Sequence, residues 1–267
     1  MKLRMSITYP DGTVHKGRRN FLDWVNYLGL ENYNFANKNV LDIATDEGWW
    51  AFWAEMNGAN YVEASDVELG EDYDWGYRKD IEWCGKLNSQ RLGKKIFDMH
   101  HTNLNSKVVY KKQSIYEVEG NFDVVFCHGL LYHLRHPLLA IDQVRGVCNG
   151  VAIFETHVDL KQDQDSAQMK FYRTNEFLAI SNWCGPTVAC YTSWMKDAGF
   201  DHVYYSTRGF WNGRNDELRK FFVGVVDDEH KTLFDNNENF VHCDESYWRR
   251  VYDTTKYDDT EYSTKYN

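Results

Sequence analysis

The sequence lacks long hydrophobic runs. It contains no stretch of about 18 apolar residues, the length that a transmembrane helix needs. Its first residues, MKLRMSITYPDG, include no apolar stretch long enough for the core of a signal peptide. These absences argue against a membrane protein and predict a cytoplasmic location.

Paired cysteines and an excess of positive charge are also missing. The six cysteines are scattered without any C-x-x-C pair, and several fall inside apolar runs, which favours buried free thiols over disulfides or a zinc site. Lysine and arginine number 30 against 40 aspartates and glutamates, so the formal net charge is −10. Because nucleic-acid affinity depends on neutralising phosphates, this balance favours a small-molecule partner over nucleic acid.

What is present is sufficient for one sizeable α/β domain, with 43% apolar residues in a chain of 267. Residues 1–39, with an amphipathic helix ending near Gly29, form an N-terminal cap or lid, and residues 40–226 form the main domain. Residues 227–267 are an acidic tail with spaced tyrosines. Two alternatives stay open for this tail: it is solvated or poorly ordered, or it packs on the domain or on a second copy in a homodimer.

Short apolar segments alternate with helical ones along the main domain. This alternation predicts a seven-stranded, mainly parallel sheet with helices on both faces, one edge of which is antiparallel. The segment at 122–127 is apolar on both faces, as is typical of a central parallel strand. The predicted strands are 39–44, 61–65, 107–113, 122–127, 151–155, 202–206 and 221–226, and the predicted helices are 49–57, 138–148 and 186–199.

The segment after the first of these strands reads D-I-A-T-D-E-G-W at residues 42–49. Nucleotide-binding loops at this position use glycines for close backbone approach, whereas Ala44 and Asp46 replace the first two here and Gly48 remains. Asp66 ends the second strand 24 residues after Asp42, near the spacing expected for a carboxylate that accepts both ribose hydroxyls. A helix cap or turn is the alternative role of Asp66.

The most specific motif is FDVVFCHGLLYHLRHP at residues 122–137. It resembles the F-D-x-V-x-x-x-G-[VL]-L-Y-H-x-R-x-P signature of methyltransferases similar to the tRNA wobble-uridine carboxymethyltransferase. Further matches to bacterial relatives of that branch lie at PDGT, at residues 40–52, at Asp74-Trp75, at 154–156 and at 182–186, so the resemblance covers roughly residues 9–226.

The resemblance implies the Rossmann-like class I methyltransferase fold and a bound S-adenosylmethionine or its carboxylated derivative. Tyr132 occupies the position at which the family binds the extra carboxylate of that derivative. The acidic composition nevertheless favours S-adenosylmethionine itself as the cofactor. The expected cofactor contacts are Asp42, Ala44, Asp46, Gly48 and Trp49 below the methionine moiety, Asp66 at the ribose, Ser114 and Ile115 at the adenine, and Cys127, His128 and Gly129 at the methionine end.

Candidate acceptor-side groups cluster after the later strands. His133 is the first choice for a general base and His157 the second, with Tyr132 beside them. Alternatively, Tyr132 and His133 only position the loop through hydrogen bonds. No metal site is predicted, because His128, His133 and His136 lack the i, i+4 register of familiar zinc helices. Trp183 and Trp211 are candidates for the pocket wall or the core.

The resulting hypothesis is a methyltransferase that acts on a small molecule, with a saccharide or secondary-metabolite hydroxyl favoured. Two alternatives remain. One is a tRNA-nucleotide (carboxy)methyltransferase, and the other is an adenosyl-cofactor-binding protein that has lost catalysis, which the missing glycines at Ala44 and Asp46 motivate.

Overall fold

A computed structural model of the chain describes residues 4–68, 72–74, 93–172, 181–209 and 218–252. Predictions made for Trp75, Cys84 and Trp211, and for the tyrosines beyond residue 252, therefore lie outside the described residues. In the part of the chain that is described, no helix is long and apolar enough to cross a membrane.

The elements follow the predicted alternation of strands and helices. The strands are β1 (Ile7–Thr8), β2 (Val14–His15), β3 (Asn39–Ile43), β4 (Tyr61–Asp66), β5 (Val109–Lys112), β6 (Phe122–His128), β7 (Cys148–His157), β8 (Met169–Phe171), β9 (Cys184–Pro186), β10 (His202–Ser206), β11 (Arg219–Val225) and β12 (Phe240–His242). The helices are α1 (Leu22–Leu28), α2 (Trp49–Met56), α3 (Gly93–Leu104), α4 (Pro137–Val147), α5 (Val188–Asp197), α6 (Asp228–Asp235) and α7 (Glu245–Val251), with short 3₁₀ turns at Ile115–Glu117 and Leu131–His133.

The central sheet has eight strands in the order β12-β10-β11-β7-β6-β3-β4-β5. Strands β5, β4, β3, β6 and β7 are mutually parallel, whereas β11 inserts antiparallel between β7 and β10. The predicted mainly parallel sheet with one antiparallel edge is confirmed. The predicted number of seven strands is one too few, because β12 pairs with β10 at the edge.

Alternate residues of the central strands face opposite apolar layers. Val40 in β3 and Val124 in β6 pack in one cluster, and their neighbours Leu41 and Val125 pack in the other. Both faces of a parallel strand must be covered by helices, so continuous apolar runs are required at these positions. As expected, the five cysteines in the described residues are buried free thiols.

The acidic segment after residue 226 folds onto the sheet as far as it is described, up to residue 252. It contributes α6, β12 and α7, and Tyr247 of α7 is buried with its hydroxyl 2.7 Å from the Thr192 hydroxyl. Residues 228–251 therefore pack on the domain, which is one of the two alternatives given for this segment.

The N-terminal half of the chain contains a buried histidine and a contact between the N-terminal segment and the end of β3. His100 is buried in α3, and its Nδ1 lies 2.7 Å from the hydroxyl of Tyr9. The N-terminal segment also reaches the end of β3, because the Glu47 carboxylate accepts hydrogen bonds from the backbone N–H groups of Arg4 and Met5. This contact brings the predicted cap against the carboxyl edge of the parallel strands.

Candidate active site

A cavity of about 410 Å³ lies at the carboxyl edge of the parallel strands, beneath the N-terminal segment. Ligands of open α/β sheets bind at this edge. Five parts of the chain form its wall. The first three are the N-terminal segment (Arg4, Met5, Arg19, Phe21, Trp24), the loop after β3 with Trp50 of α2, and the end of β4 with residues 72–74. The other two are the turn after β5, and the ends of β6, β7 and β11 together with Ser181.

The loop after β3 adopts the backbone of a glycine-rich loop without the glycines. Ala44, Asp46 and Gly48 have φ angles of 57°, 51° and 89°, all in the left-handed region. Ala44 and Asp46 hold this conformation at a cost of about 1–2 kcal/mol each. Contacts compensate at Asp46, because its N–H donates to Asp66 Oδ2 at 2.9 Å and its carboxylate pairs with Arg4 at 2.7 Å.

This strain leads to a stability prediction for Ala44. Ala44→Gly is expected to raise the free energy of unfolding by about 0.5–1 kcal/mol, because relief of the left-handed strain exceeds the entropy that glycine adds to the unfolded chain. Urea denaturation without cofactor measures this change. Ala198→Gly is the matched control: Ala198 is also half-buried but has a φ of −66°, so glycine should destabilise there. Destabilisation by Ala44→Gly as well would contradict the argument.

Asp42 lies at the end of β3 and is almost fully buried. Its Oδ2 accepts hydrogen bonds from the Thr45 hydroxyl at 2.6 Å and from the Ala51 N–H at 3.3 Å. Burial nevertheless raises the pKa of Asp42 to about 7, against a usual value near 4. The cavity therefore has on its floor a carboxyl group that changes charge near neutral pH.

Asp66 ends β4 on the cavity wall, as predicted from its spacing. Its Oδ2 accepts the Asp46 N–H, and its Oδ1 accepts the Val67 N–H at 2.7 Å. Both contacts fix the carboxylate beside the left-handed loop. A carboxylate oxygen has more than one lone pair, so Asp66 can accept further hydrogen bonds from a ligand's hydroxyl groups.

Ser114 and Ile115 follow β5 and also line the cavity. The Ser114 side chain accepts the N–H of Tyr116 and caps the 3₁₀ turn, so its hydroxyl serves the local backbone. Ile115 is buried and presents an apolar surface suited to a ring face. Next to them, the Tyr116 hydroxyl donates to Asp74 at 2.8 Å, which holds residues 72–74 against the wall.

His128 and Gly129 follow at the end of β6 and belong to the wall. Gly129 has a φ of 73°, and its N–H donates to the Glu155 carbonyl at 2.7 Å. A Cβ atom here would lie 3.1 Å from Arg219 Nη2, so only glycine fits without displacement. Burial, with a smaller effect of the Arg219 guanidinium, lowers the pKa of His128 to about 3, so its imidazole is neutral at pH 7.

Four predicted site residues lie outside the cavity wall, which corrects the sequence-based assignment. Gly48 faces the core, where a Cβ would come within 2.5 Å of Phe52 and Phe97. Trp49 packs against the N-terminal segment and donates to the Ser6 carbonyl at 2.9 Å. Cys127 points into the apolar layer on the other face of β6, and His157 lies behind the wall with Nε2 2.9 Å from the Tyr172 hydroxyl.

The acceptor-side predictions Tyr132 and His133 do belong to the wall. The Tyr132 ring lies 4.9 Å from the Arg219 guanidinium, and burial raises the pKa of its hydroxyl. His133 Nδ1 lies 3.0 Å from the Ser181 carbonyl, which requires a proton on Nδ1 and leaves the lone pair of the neutral ring on Nε2. Burial lowers the pKa of His157 to about 4, with Arg219 adding to the effect, which makes this ring a weak base.

Sequence reasoning missed Arg219 and the buried ion pair that it forms at the inner end of the cavity. Arg219, at the start of β11, donates from Nη2 to Glu155 Oε2, and both side chains are buried. Arg19 of the N-terminal segment lines the same cavity, and burial, followed by the positive charge of Arg219, lowers its pKa. The available signal was a charged residue, Glu155, at the cavity end of β7 and the charged pair Arg219-Lys220 immediately before the apolar remainder of β11.

In the described ranges, the potential metal ligands that come within reach of one another are Asp227, Glu229 and His230, near the opposite edge of the sheet. His230 Nδ1 binds Asp227, and its Nε2 lies 2.5 Å from the Tyr33 hydroxyl. Because both ring nitrogens are engaged, this cluster ties the N-terminal segment to α6 instead of offering a metal ligand.

The comparisons with known proteins agree with this architecture. A family profile described as "Methyltransferase domain" matches residues 14–205. The tRNA U34 carboxymethyltransferase of Dichelobacter nodosus is 27% identical over 173 residues, which are 63% of this chain and 47% of that protein. The chain thus spans about half the length of this curated relative.

Two solved structures share the fold at low identity. A methyltransferase from Mesorhizobium loti, described as S-adenosylmethionine dependent, has a TM-score of 0.52 at 11% identity, covering 77% of this chain and 97% of that one. Magnesium protoporphyrin IX methyltransferase from Synechocystis PCC 6803, solved with bound SAM, has a TM-score of 0.50 at 13% identity, covering 77% and 78%. These similarities show a shared arrangement of the sheet and its helices.

Proposed function

The chain belongs to the methyltransferase domain family, and on that premise we propose that it binds S-adenosylmethionine in the cavity and methylates a small molecule. The observation that carries the proposal is the pairing of the left-handed loop after β3 with Asp66 at the end of β4. A backbone of this shape allows close approach of a ligand, and a fixed carboxylate next to it can accept two ribose hydroxyls.

The wall residues fit the parts of the cofactor in order. Asp42, Ala44 and Asp46 would hold the methionine moiety, Asp66 the ribose, and Ile115 with the turn after β5 the adenine. The cofactor supplies an electrophilic methyl group when bound. The protein supplies orientation of the acceptor and, for a hydroxyl or an amine, a group that removes a proton. His133 and Glu155 are the wall residues suited to that second task.

Two observations support a small acceptor. The chain is acidic, with a net charge of −10. Aromatic rings of Phe21, Trp24 and Trp50 line the cavity beneath the N-terminal segment, where a small apolar molecule can be enclosed. A separate observation argues against a binding protein that has lost catalysis. Ala44 and Asp46 adopt the left-handed conformation although neither is glycine, so the missing glycines no longer indicate a degenerate loop.

A second candidate is transfer of a carboxymethyl group to a tRNA nucleotide. It is favoured by the curated relatives, which carry that name, and by the position of Tyr132 next to Arg219 on the wall. Labelled transfer from S-adenosylmethionine and from its carboxylated derivative, each into a metabolite extract and into bulk tRNA, distinguishes the two. Incorporation into tRNA only, from the carboxylated donor only, would replace the leading proposal.

Asp66→Ala tests the cofactor site. It should raise the dissociation constant for S-adenosylmethionine about 10–100-fold in calorimetric titration, because two charge-assisted hydrogen bonds are lost. Asp72→Ala is the matched control: Asp72 is another carboxylate of the wall but is exposed and pairs with Lys112 at 3.0 Å, so affinity should change less than about threefold. Absence of heat and of a thermal shift with the unmodified protein, for S-adenosylmethionine and S-adenosylhomocysteine alike, would refute the proposed function.

A further inference from the structure

The inner end of the cavity combines an aromatic surface with a buried carboxylate. Phe21, Trp24, Trp50 and His128 form what we call the aromatic wall. Phe21 and Trp24 lie 4.7 Å apart between ring centres, and His128 lies 4.6 Å from Trp50 and 6.2 Å from Trp24. These rings come from the N-terminal segment, α2 and β6, so they enclose the space from several sides.

Glu155 adjoins this wall, because it is the register partner of His128 between β7 and β6. Its side chain is 2% exposed. Oε2 accepts from Arg219, while Oε1 is buried without a hydrogen-bond partner among the described residues. A buried carboxylate oxygen without a donor costs free energy, and an enclosed site can recover this cost when a ligand supplies an O–H group.

We propose that the acceptor is a hydroxyarene held against the aromatic wall, and that Glu155 is the catalytic base that removes its hydroxyl proton. The inference rests on the proposed function and deepens it by naming the acceptor class and the base. Planar rings pack favourably against Trp and Phe side chains, whereas the hydroxyl oxygen requires a polar partner in the same pocket. Glu155 is that partner.

The acceptor O–H donates its proton to Glu155 Oε1, and an oxygen lone pair forms the new bond to the methyl carbon. The carbon–sulfur bond of the cofactor breaks, and its electron pair stays on sulfur, which becomes a neutral thioether. Arg219 and Arg19 lie next to Glu155, and their positive charges stabilise the negative charge that develops on the acceptor oxygen as its proton leaves.

Other groups near this point are less suited to the task. His128 is uncharged at pH 7, and its lowered pKa makes it a poor proton acceptor. The Tyr132 hydroxyl has a raised pKa and stays protonated. His133 is the remaining alternative, because donation from Nδ1 to Ser181 leaves the lone pair of its neutral ring on Nε2, and its replacement is included below as the competing assignment.

The test compares two phenols as probes, 4-nitrophenol, which is largely ionised at pH 8, and 4-methylphenol, which has a pKa of about 10 like tyrosine and stays protonated. With labelled S-adenosylmethionine, the unmodified protein should methylate both at rates within about tenfold. Glu155→Gln should reduce methylation of 4-methylphenol by about 100-fold, a typical contribution of a general base, and should largely spare 4-nitrophenol, which needs no base.

The matched control is Glu63→Gln. Glu63 is also 2% exposed, with one oxygen paired with Lys111 at 2.8 Å and the other without a hydrogen-bond partner among the described residues, but it lies within β4 away from the cavity wall. This variant should leave the ratio of the two rates unchanged. If Glu155→Gln does not fold, the ratio for the unmodified protein shows whether a base acts at all, and His133→Gln, in which the ratio should stay unchanged, separates the two candidate bases.

Three results would overturn the inference. One is an equal loss for both phenols in Glu155→Gln, which would indicate a purely structural role. Another is a selective loss in His133→Gln in place of Glu155→Gln. The third is no methylation of either phenol by protein that binds S-adenosylmethionine with the expected dependence on Asp66, in which case the proposed function stands and the acceptor class is wrong.

Discussion

Replacing Arg219 with methionine is expected to lower the free energy of unfolding by about 3–5 kcal/mol, the cost of breaking a buried ion pair from one side. Arg219 is 8% exposed and donates to Glu155, which is 2% exposed. Methionine keeps much of the apolar stem but removes the charge, and it leaves the buried Glu155 carboxylate without the guanidinium that binds its Oε2. Urea denaturation at pH 7, in the absence of cofactor, measures the difference.

The double variant Arg219→Met with Glu155→Gln is the decisive comparison. It removes both charges, so most of the lost stability should return, and the two changes should couple by more than about 1 kcal/mol. Arg250→Met serves as the control, because Arg250 pairs with Asp165 at 3.2 Å where both side chains are about half exposed. Arg250→Met should lower the free energy of unfolding by at most about 1 kcal/mol. Similar costs at Arg219 and Arg250 would show that the buried pair has no special importance for stability.

The centre of the parallel half of the sheet was predictable because strands β3 and β6 are largely apolar on both faces. Val40 to Ile43 and residues 122–127 could be assigned from the sequence alone, and the order of strands and helices followed from their alternation. Strand β12 could not be found in this way. Its three residues, Phe240 to His242, lie in an acidic segment without a repeating apolar pattern, and their conformation depends on pairing with β10.

The cofactor loop illustrates a different limit. Sequence reasoning expects glycine at a left-handed position, and the absence of glycine at Ala44 and Asp46 suggested a degenerate site. The structure places both residues in that region, since contacts distant in sequence stabilise the conformation of Asp46: Arg4 pairs with its side chain and Asp66 accepts its N–H. Local propensity predicts the cost of such a conformation but not whether the rest of the fold compensates for it.

The inner end of the cavity was the least predictable region. Glu155 and Arg219 lie 64 residues apart, and nothing local to either indicates that β11 inserts next to β7. Spacing along the chain did locate Asp66, because β3 and β4 are consecutive in the sheet and their carboxyl ends meet at the same edge. Residues brought together by neighbouring strands of a regular unit can thus be predicted, whereas those brought together by an inserted antiparallel strand cannot.

The free energy of unfolding without cofactor should fall as the pH rises from about 4 to about 7, because of Asp42. Burial raises the pKa of this carboxyl to about 7 in the folded protein, whereas the unfolded chain ionises it near 4. Between these values the folded state retains a proton that the unfolded state has lost, so raising the pH favours unfolding. Each tenfold change in a proton dissociation constant corresponds to about 1.4 kcal/mol, so we expect a loss on the order of 4 kcal/mol from this group.

Asp42→Asn isolates this contribution, because the amide keeps an acceptor for the Thr45 hydroxyl and does not titrate. Urea denaturation of the variant at pH 5 and pH 8 should lack most of the decrease seen with the unmodified protein, and the variant should be the more stable of the two at pH 8. Asp98→Asn is the control, because Asp98 is exposed and its pairing with Lys94 lies on the surface of α3. An unchanged pH dependence in Asp42→Asn would mean that Asp42 is already ionised in the folded protein at pH 5, and that its hydrogen bonds outweigh the burial.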